Sequence, residues 1–252
     1  MKVLITRAME PAGNTAMNLA AAGHEAVILP LVEYCDVPAG LQDDDMLSRR
    51  FDGMALTGAA AIGALERRFA DQKFPQTMLD LPVFCVGTKT ADAASRAGFQ
   101  TVHIAAGDVI SLATLIETKL PAQPGAKISI FHPAPRHKHE NLAELLDGHV
   151  IEELTVYEAR LVDPGRQTME DALNAVAQGA AFFYSRRTAT HFLELMSQHE
   201  LQEKIGPVKF VAISPNVAQI LQQLMQVREE PLIVAAKSPN EDEMISCLSA
   251  FA

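Results

Sequence analysis

Tryptophan is absent from the 252 residues, and aromatic residues of every kind make up only 6%. A platform on which nucleobases stack is not expected from such a chain. Positive charge is scarce too. Lysine and arginine number 21 against 31 aspartates and glutamates, for a formal net charge of -10. That balance speaks against general binding of nucleic acid or of an anionic membrane, while leaving room for a local basic cleft. No apolar run reaches the ~18 residues needed to span a bilayer. The opening Met1-Lys2-Val3-Leu4-Ile5-Thr6-Arg7 has too short an apolar stretch for a secretory leader and reads as a buried strand. The three cysteines, Cys35, Cys85 and Cys247, lie far apart with no CxxC or zinc-like spacing. Reduced thiols in a cytoplasmic protein are the expectation. GxSxG, Walker A, GxGxxG and HExxH are all missing, so no nucleophile elbow, phosphate loop, dinucleotide fingerprint or helix-borne zinc site announces itself.

What is present is an alternation of short apolar strands with helical patterns in a chain that is 48% hydrophobic. This predicts an α/β fold with mainly parallel sheets. Strands are expected at Val3–Thr6, Ala26–Leu29, Met54–Leu56, in the segment from Leu81 to the Gly87 turn, and at Lys127–Phe131, Ala180–Ser185 and Phe210–Ser214. Helices are expected from Asn14, with Asn14 as its cap, from about Gly58, and from Ala91 to Ala97 with Gly98 closing it. Three strand positions recur at almost constant offset: Ile5 to Ile130 is 125 residues, Thr57 to Ser185 is 128 and Gly87 to Ser214 is 127. An offset near half the chain argues for internal duplication. Two segments of alternating polarity stand outside the repeat, 32–42 and 150–163, and are expected to pair as a linker ribbon. The chain would then form two similar α/β lobes, one from 1–31 with 164–252 and the other from 43–149, joined by a two-strand antiparallel linker.

Several strands end in a small or hydroxyl residue followed by a helix: Thr57-Gly58, Gly87-Thr88, Ser185 and Ser214. Ligands of open α/β sheets bind beyond the carboxyl ends of the strands, where helix N-termini present unpaired N–H groups. Plain N-capping explains any single case, but four of them would suit a ligand with many carboxylates or phosphates. Arg7, Lys89, Arg136 and Arg186 lie near the same ends, whereas Lys138 and Arg187 read as solvated surface charge. The segment from His132 through His137, His139 and Glu140 invites a metal reading, but its spacing builds no familiar ligand set, and a surface or anion-binding loop fits better. Tyr157, in the second ribbon segment, is either an ordinary strand aromatic or a phenol placed to donate a proton.

The ordered set of elements resembles the uroporphyrinogen-III synthase family. The resemblance is carried by Val3-Leu4-Ile5-Thr6-Arg7 with Leu29-Pro30-Leu31, by Phe51 to Thr57, by Val86-Gly87-Thr88-Lys89-Thr90-Ala91 with Ala97-Gly98-Phe99, by Thr155-Val156-Tyr157-Glu158, and by Phe182 to Ser185 and Ala212 to Pro215. It implies two lobes on a two-strand ladder and a lyase that closes hydroxymethylbilane, a linear tetrapyrrole, to uroporphyrinogen III with loss of water and inversion of ring D. It implies no metal or organic cofactor, a monomer in the cytoplasm, and transient contact with the enzyme that supplies the substrate. It assigns Tyr157 to helping the hydroxyl leave, and Thr57, Thr88, Ser185 and Ser214 to cleft-facing strand ends whose amides bind substrate carboxylates; Arg7, Gly58, Lys89, Arg136, Arg186 and Asn216, beside the same ends, complete the candidate substrate-binding set. Gly58 stands where a serine is usual, Ser214-Pro215-Asn216-Val217 where Gly-Pro-Thr-Thr is usual, and the segment from Ala134 to His139 lacks the usual glycine after proline. A non-catalytic tetrapyrrole- or anion-binding relative of the same fold is the alternative.

Overall fold

Strands apolar at every position, such as Val3-Leu4-Ile5 and Ala180 to Phe183, must be covered on both faces, which parallel sheets flanked by helices achieve. The computed structural model folds the chain this way. It describes all residues except 39–40, 70–73, 123–124, 126, 138–140, 225–231 and 252, and for 41–44 and 224 only the backbone. In chain order the strands are β1 (Lys2–Ile5), β2 (Glu25–Ile28), β3 (Val32–Asp36), β4 (Gly53–Leu56), β5 (Pro82–Cys85), β6 (Thr101–Ile104), β7 (Ile128–Pro135), β8 (His149–Leu161), β9 (Ala180–Phe183), β10 (Lys209–Ala212) and β11 (Ile233–Ala235). The helices are α1 (Met9–Ala21), α2 (Leu41–Ser48), α3 (Ala59–Phe69), α4 (Gln76–Leu79), α5 (Thr88–Arg96), α6 (Val109–Lys119), α7 (Leu142–Leu145), α8 (Arg166–Ala175), α9 (Arg186–Gln198), α10 (Pro215–Leu224) and α11 (Glu241–Ser246). None of the described helices is long and apolar enough to cross a membrane.

The chain divides into two units, Met1–Glu33 with Arg160–Ala252, and Tyr34–Ala159. The first holds a five-stranded sheet in the order β2-β1-β9-β10-β11, parallel throughout. Period-two alternation sends Leu4, Ala181, Phe183, Phe210 and Ala212 into one core and Val3, Ile5, Ala180, Phe182 and Val211 into the other. Phe183, Phe192 and Phe210 meet edge to face in the former, with ring centroids 5.1 to 5.9 Å apart. Burying one such side chain is worth about 2–3 kcal/mol.

The second unit holds the order β3-β8-β7-β4-β5-β6, with β8, β7, β4, β5 and β6 parallel. β3 borders β8 at the edge. Val37 N–H donates to the Val156 carbonyl and Val162 N–H to the Leu31 carbonyl, both at 3.0 Å. Partner numbers fall as those of β3 rise, so this pair runs antiparallel. Residues 150–163 were expected to stand apart as linker. Instead β8 pairs with β7 from His149 to Tyr157, which makes most of that segment part of the six-stranded sheet.

The two sheets also show what the offset repeat means. The helix starts of α3 and α9, Ala59 and Arg186, are 127 residues apart, as are those of α5 and α10, Thr88 and Pro215. On this offset β1 and β2 correspond to β7 and β8, and β4, β5 and β6 to β9, β10 and β11. The spatial orders β2-β1-β9-β10-β11 and β8-β7-β4-β5-β6 match position for position. Apart from the edge strand β3, each sheet therefore takes two strands from one copy and three from the other, as the expected pairing of 1–31 with 164–252 requires.

Three local expectations need correction. α1 begins at Met9, with Ala8 at its cap position, and Asn14 is an exposed residue inside it. Pro11 falls in the first turn, where the missing N–H costs nothing. α5 begins at Thr88 rather than Ala91. The segment from His132 to Pro135, read as loop, continues β7, which beyond Phe131 is paired only with β8. His132 is buried there, with Nδ1 2.9 Å from the Ala55 carbonyl, while Lys138, His139 and Glu140 lie outside the described residues.

Candidate active site

The carboxyl ends of neighbouring strands gather the expected residues into one group per unit. In the first unit Arg7 follows β1, Ser185 and Arg186 follow β9, and Ser214 and Asn216 follow β10, three strands adjacent in the sheet. In the second, Thr57 and Gly58 follow β4, Thr88 and Lys89 follow Gly87 after β5, Arg136 follows β7, and Tyr157 lies late in β8. The strand order reverses direction between β1 and β9 and between β4 and β7, the places where open α/β sheets bind ligands.

The helix starts differ in how their N–H groups are used. Ser185 caps α9, its Oγ accepting from Thr188 N–H at 3.1 Å. That hydroxyl is occupied, and what remains for a ligand is the unpaired N–H groups of the first turn. Gly87 at the start of α5 and Ala8 at the start of α1 give no side-chain cap, so the first turns of both helices keep open donors. Ser214 precedes α10, whose first residue is Pro215, and its carbonyl accepts from Val217 and Ala218 N–H. Proline at this position removes one of the orphan donors. Asn216, Thr88 and Lys89 are exposed.

The cations are not equivalent. Arg7 is tied into a network the sequence did not reveal. Its Nη1 donates to Glu241 Oε2 at 3.0 Å, and its guanidinium lies 4.3 Å from the Tyr184 ring centre. Thr15 donates to the same carboxylate oxygen at 3.0 Å, and Asn18 to Oε1 at 2.7 Å. Arg7 thus carries its own counter-charge, brought from 234 residues away. Arg136 is likewise paired, its Nε 2.6 Å from Glu158 Oε2. Arg186 is exposed, and no ion pair is formed by it among the described residues. A cation in the first turn of a helix opposes the macrodipole, so an anion bound there would relieve a local charge clash. Glu241→Ala removes the acceptor of three donors, one from buried Thr15. Urea unfolding should show a loss of about 1–3 kcal/mol, with Glu241→Gln closer to wild type.

Tyr157 is the most constrained of these residues. It is only 9% exposed, and burial, with a smaller contribution from Tyr34, pushes its phenol up to about 12. Its position depends on a bulge: Ala134 pairs with Thr155 but Pro135 pairs with Tyr157, leaving Val156 as the extra residue. The bulge breaks the alternation, so that Val156 and Tyr157, neighbours in sequence, both join the core that contains Met54 and Leu56. The Tyr157 carbonyl accepts from Arg136 N–H at 2.8 Å. Its hydroxyl lies 3.6 Å from where a Cβ on Gly58 would sit, which links the end of β4 to the end of β8. The hydroxyl has no hydrogen-bond partner among the described residues.

Tyr34 was not singled out from the sequence. Its ring meets that of Tyr157 edge to face, centroids 5.6 Å apart at 81°. The signal available was two tyrosines on segments expected to pair, but a register is needed to make them neighbours. No cluster of three or more His, Cys, Asp or Glu residues placed to hold a metal ion occurs among the described residues.

The comparisons with known proteins agree with one another. Residues 14–246 match the family described as uroporphyrinogen-III synthase HemD. The uroporphyrinogen-III synthase of Synechococcus elongatus is 25% identical over 233 residues, covering 88% of this chain and 86% of that protein. The structure of uroporphyrinogen-III synthetase from Helicobacter pylori superposes with a TM-score of 0.65 at 16% identity, over 100% of both chains. A mutant uroporphyrinogen III synthase from Thermus thermophilus gives 0.56 at 17% identity, over 100% of this chain and 98% of that one; these two likenesses bear on the fold alone. With the match spanning nearly all of its length, the chain belongs to the uroporphyrinogen-III synthase family.

Proposed function

We infer that the chain catalyses the reaction of its family, closing hydroxymethylbilane to uroporphyrinogen III with loss of water and inversion of ring D. The observation that carries this reading is the family match across residues 14–246. In the mechanism we propose, Tyr157 donates a hydrogen bond, and then its proton, to the departing hydroxyl. Burial keeps the phenol neutral and makes it a weak acid. Its help therefore grows as the C–O bond breaks and the oxygen becomes more basic, which is help given to the transition state rather than to the bound substrate. In the first unit the open first-turn N–H groups of α1, with Arg186 and the N–H groups of α9, and in the second unit those of α5, are each suited to receive a carboxylate. Holding the linear substrate curled and away from bulk water favours closure with inversion over the spontaneous closure without it. The same reading makes the enzyme a cytoplasmic monomer without a cofactor, supplied by transient contact with the enzyme that makes its substrate. All three cysteines are free, in keeping with a reducing compartment.

Isomer analysis tests the activity. Hydroxymethylbilane generated in situ is incubated with the protein, the product is oxidised, and the type I and type III uroporphyrins are separated. Predominantly type III is expected. Type I alone, from folded protein, would overturn the reading in favour of a non-catalytic relative that binds tetrapyrroles.

A further inference from the structure

We propose that Tyr34 is a positioning residue for Tyr157: its ring, set edge-on from the neighbouring strand, aims the Tyr157 phenol past Gly58 so that the hydroxyl meets the departing oxygen. The proposal rests on the reading of Tyr157 as proton donor and extends it to a residue outside the group at the strand ends.

The backbone around Tyr157 is held from both sides. Its own carbonyl accepts from Arg136 N–H at 2.8 Å, and the preceding carbonyl, of Val156, accepts from Val37 N–H at 3.0 Å. The direction of the side chain is a separate matter. The hydroxyl faces Gly58, which offers no side chain, and is given no hydrogen bond among the described residues. Among the described residues no polar contact fixes where the phenol points, and the packing of its ring does so. The antiparallel register of β3 on β8 places Tyr34 on the diagonal from Tyr157, a spacing that only large side chains bridge. The centroid distance of 5.6 Å and the angle of 81° bring the positive edge of one ring to the negative face of the other.

Tyr34 is itself anchored. Two residues along β3, Asp36 forms a two-pronged ion pair with Arg67, with Nε and Nη2 each 2.7 Å from a carboxylate oxygen. Arg67 lies in the last turn of α3, the helix that begins just after Gly58. The strand that carries Tyr34 and the helix whose start faces the Tyr157 hydroxyl are thus tied together. Tyr34 is 39% exposed on an edge strand, so its replacement leaves the main cores intact.

The test compares Tyr34→Leu, Tyr34→Phe, Tyr157→Phe and the double variant Tyr34→Leu/Tyr157→Phe. Turnover to the type III isomer is measured together with the alkaline titration of phenolate absorbance. The chain has three tyrosines and no tryptophan, so subtracting the Tyr157→Phe titration in each background isolates Tyr157. Tyr34→Leu should lower kcat ~10-fold with little change in KM, as expected when a reacting group is misplaced rather than removed. It should also move the Tyr157 titration down from about 12. Tyr34→Phe keeps the ring and should restore kcat. The double variant should be no slower than Tyr157→Phe, because a positioning residue has nothing left to position. Wild-type kcat in Tyr34→Leu beside a slow Tyr157→Phe overturns this proposal alone, as does a further loss in the double variant. Full activity in Tyr157→Phe overturns both this proposal and the proton-donor reading beneath it.

Discussion

Tyr157→Phe is expected to lower kcat by ~10²-fold or more, the usual scale for loss of a positioned proton donor, while thermal stability stays within about 0.5 kcal/mol of wild type. The asymmetry follows from the contacts. Phenylalanine keeps the ring against Tyr34 and in the core with Met54 and Leu56. The lost hydroxyl leaves no orphaned partner, since none is bonded to it among the described residues. Steady-state kinetics and a urea titration on the same preparation check both halves. Full activity would remove the phenol from the mechanism. A loss of stability parallel to the loss of rate would mean that the residue serves packing. The same substitution has a signature in alkali. Burial raises the folded phenol to about 12 against the ordinary value of 10.0, so the unfolded chain ionises first. The stabilisation is complete below pH about 10 and is lost as pH climbs towards 12, about 2–3 kcal/mol in all. Tyr157→Phe should unfold less readily across that window than wild type does.

Gly179→Ala is expected to destabilise the first unit by about 3 kcal/mol or more, a large share of the 5–15 kcal/mol that typically separates folded from unfolded chains. Gly179 precedes β9, and a Cβ there would collide with the Lys2 carbonyl at the start of β1. The obstacle is backbone on both sides and no side chain is available to swing away. β1 and β9 pair directly from Val3 and Ala180 onward, so relief requires opening the centre of the five-stranded sheet. Gly13→Ala is the matched control. Gly13 is exposed within α1, and nothing lies within 4 Å of where its Cβ would sit. There the methyl group should stabilise by about 0.5–1 kcal/mol, because alanine loses less backbone freedom than glycine on entering a helix. Urea midpoints of the two variants should therefore move in opposite directions. Equal stability of Gly179→Ala and wild type would show that β1 and β9 are less tightly apposed than described.

The strand ends that make up the candidate site were legible because they depend on local pattern. An apolar run followed by a small residue and a helix marks a strand end, and every expected site residue lies at the carboxyl end of a strand or near it. Which charges are available there was not legible. Arg7 and Arg186 look alike as cations beside strand ends, but Arg7 is engaged by Glu241 and Arg186 is unpaired among the described residues. The hydroxyl of Ser185 was also ambiguous until the cap on Thr188 was seen.

From the sequence by itself came the α/β class, the near-constant offset that reports a duplication, the strand ends as candidate site positions, and the family likeness. These follow from short-range requirements: a strand buried on both faces must be apolar throughout, and a helix must begin where its first N–H groups are satisfied. Tertiary structure alone decided that β8 joins the six-stranded sheet beside β7 instead of standing apart as linker. Alternating polarity marks such a segment as half-exposed but does not name its partner strand, which the packing of the complete sheet selects. Tertiary structure also decided the bulge that brings Val156 and Tyr157 into one core, since a single unpaired residue leaves no mark on polarity. The register that lays Tyr34 against Tyr157 was decided in the same way, because diagonal neighbours on paired strands are set by hydrogen bonds between segments more than a hundred residues apart.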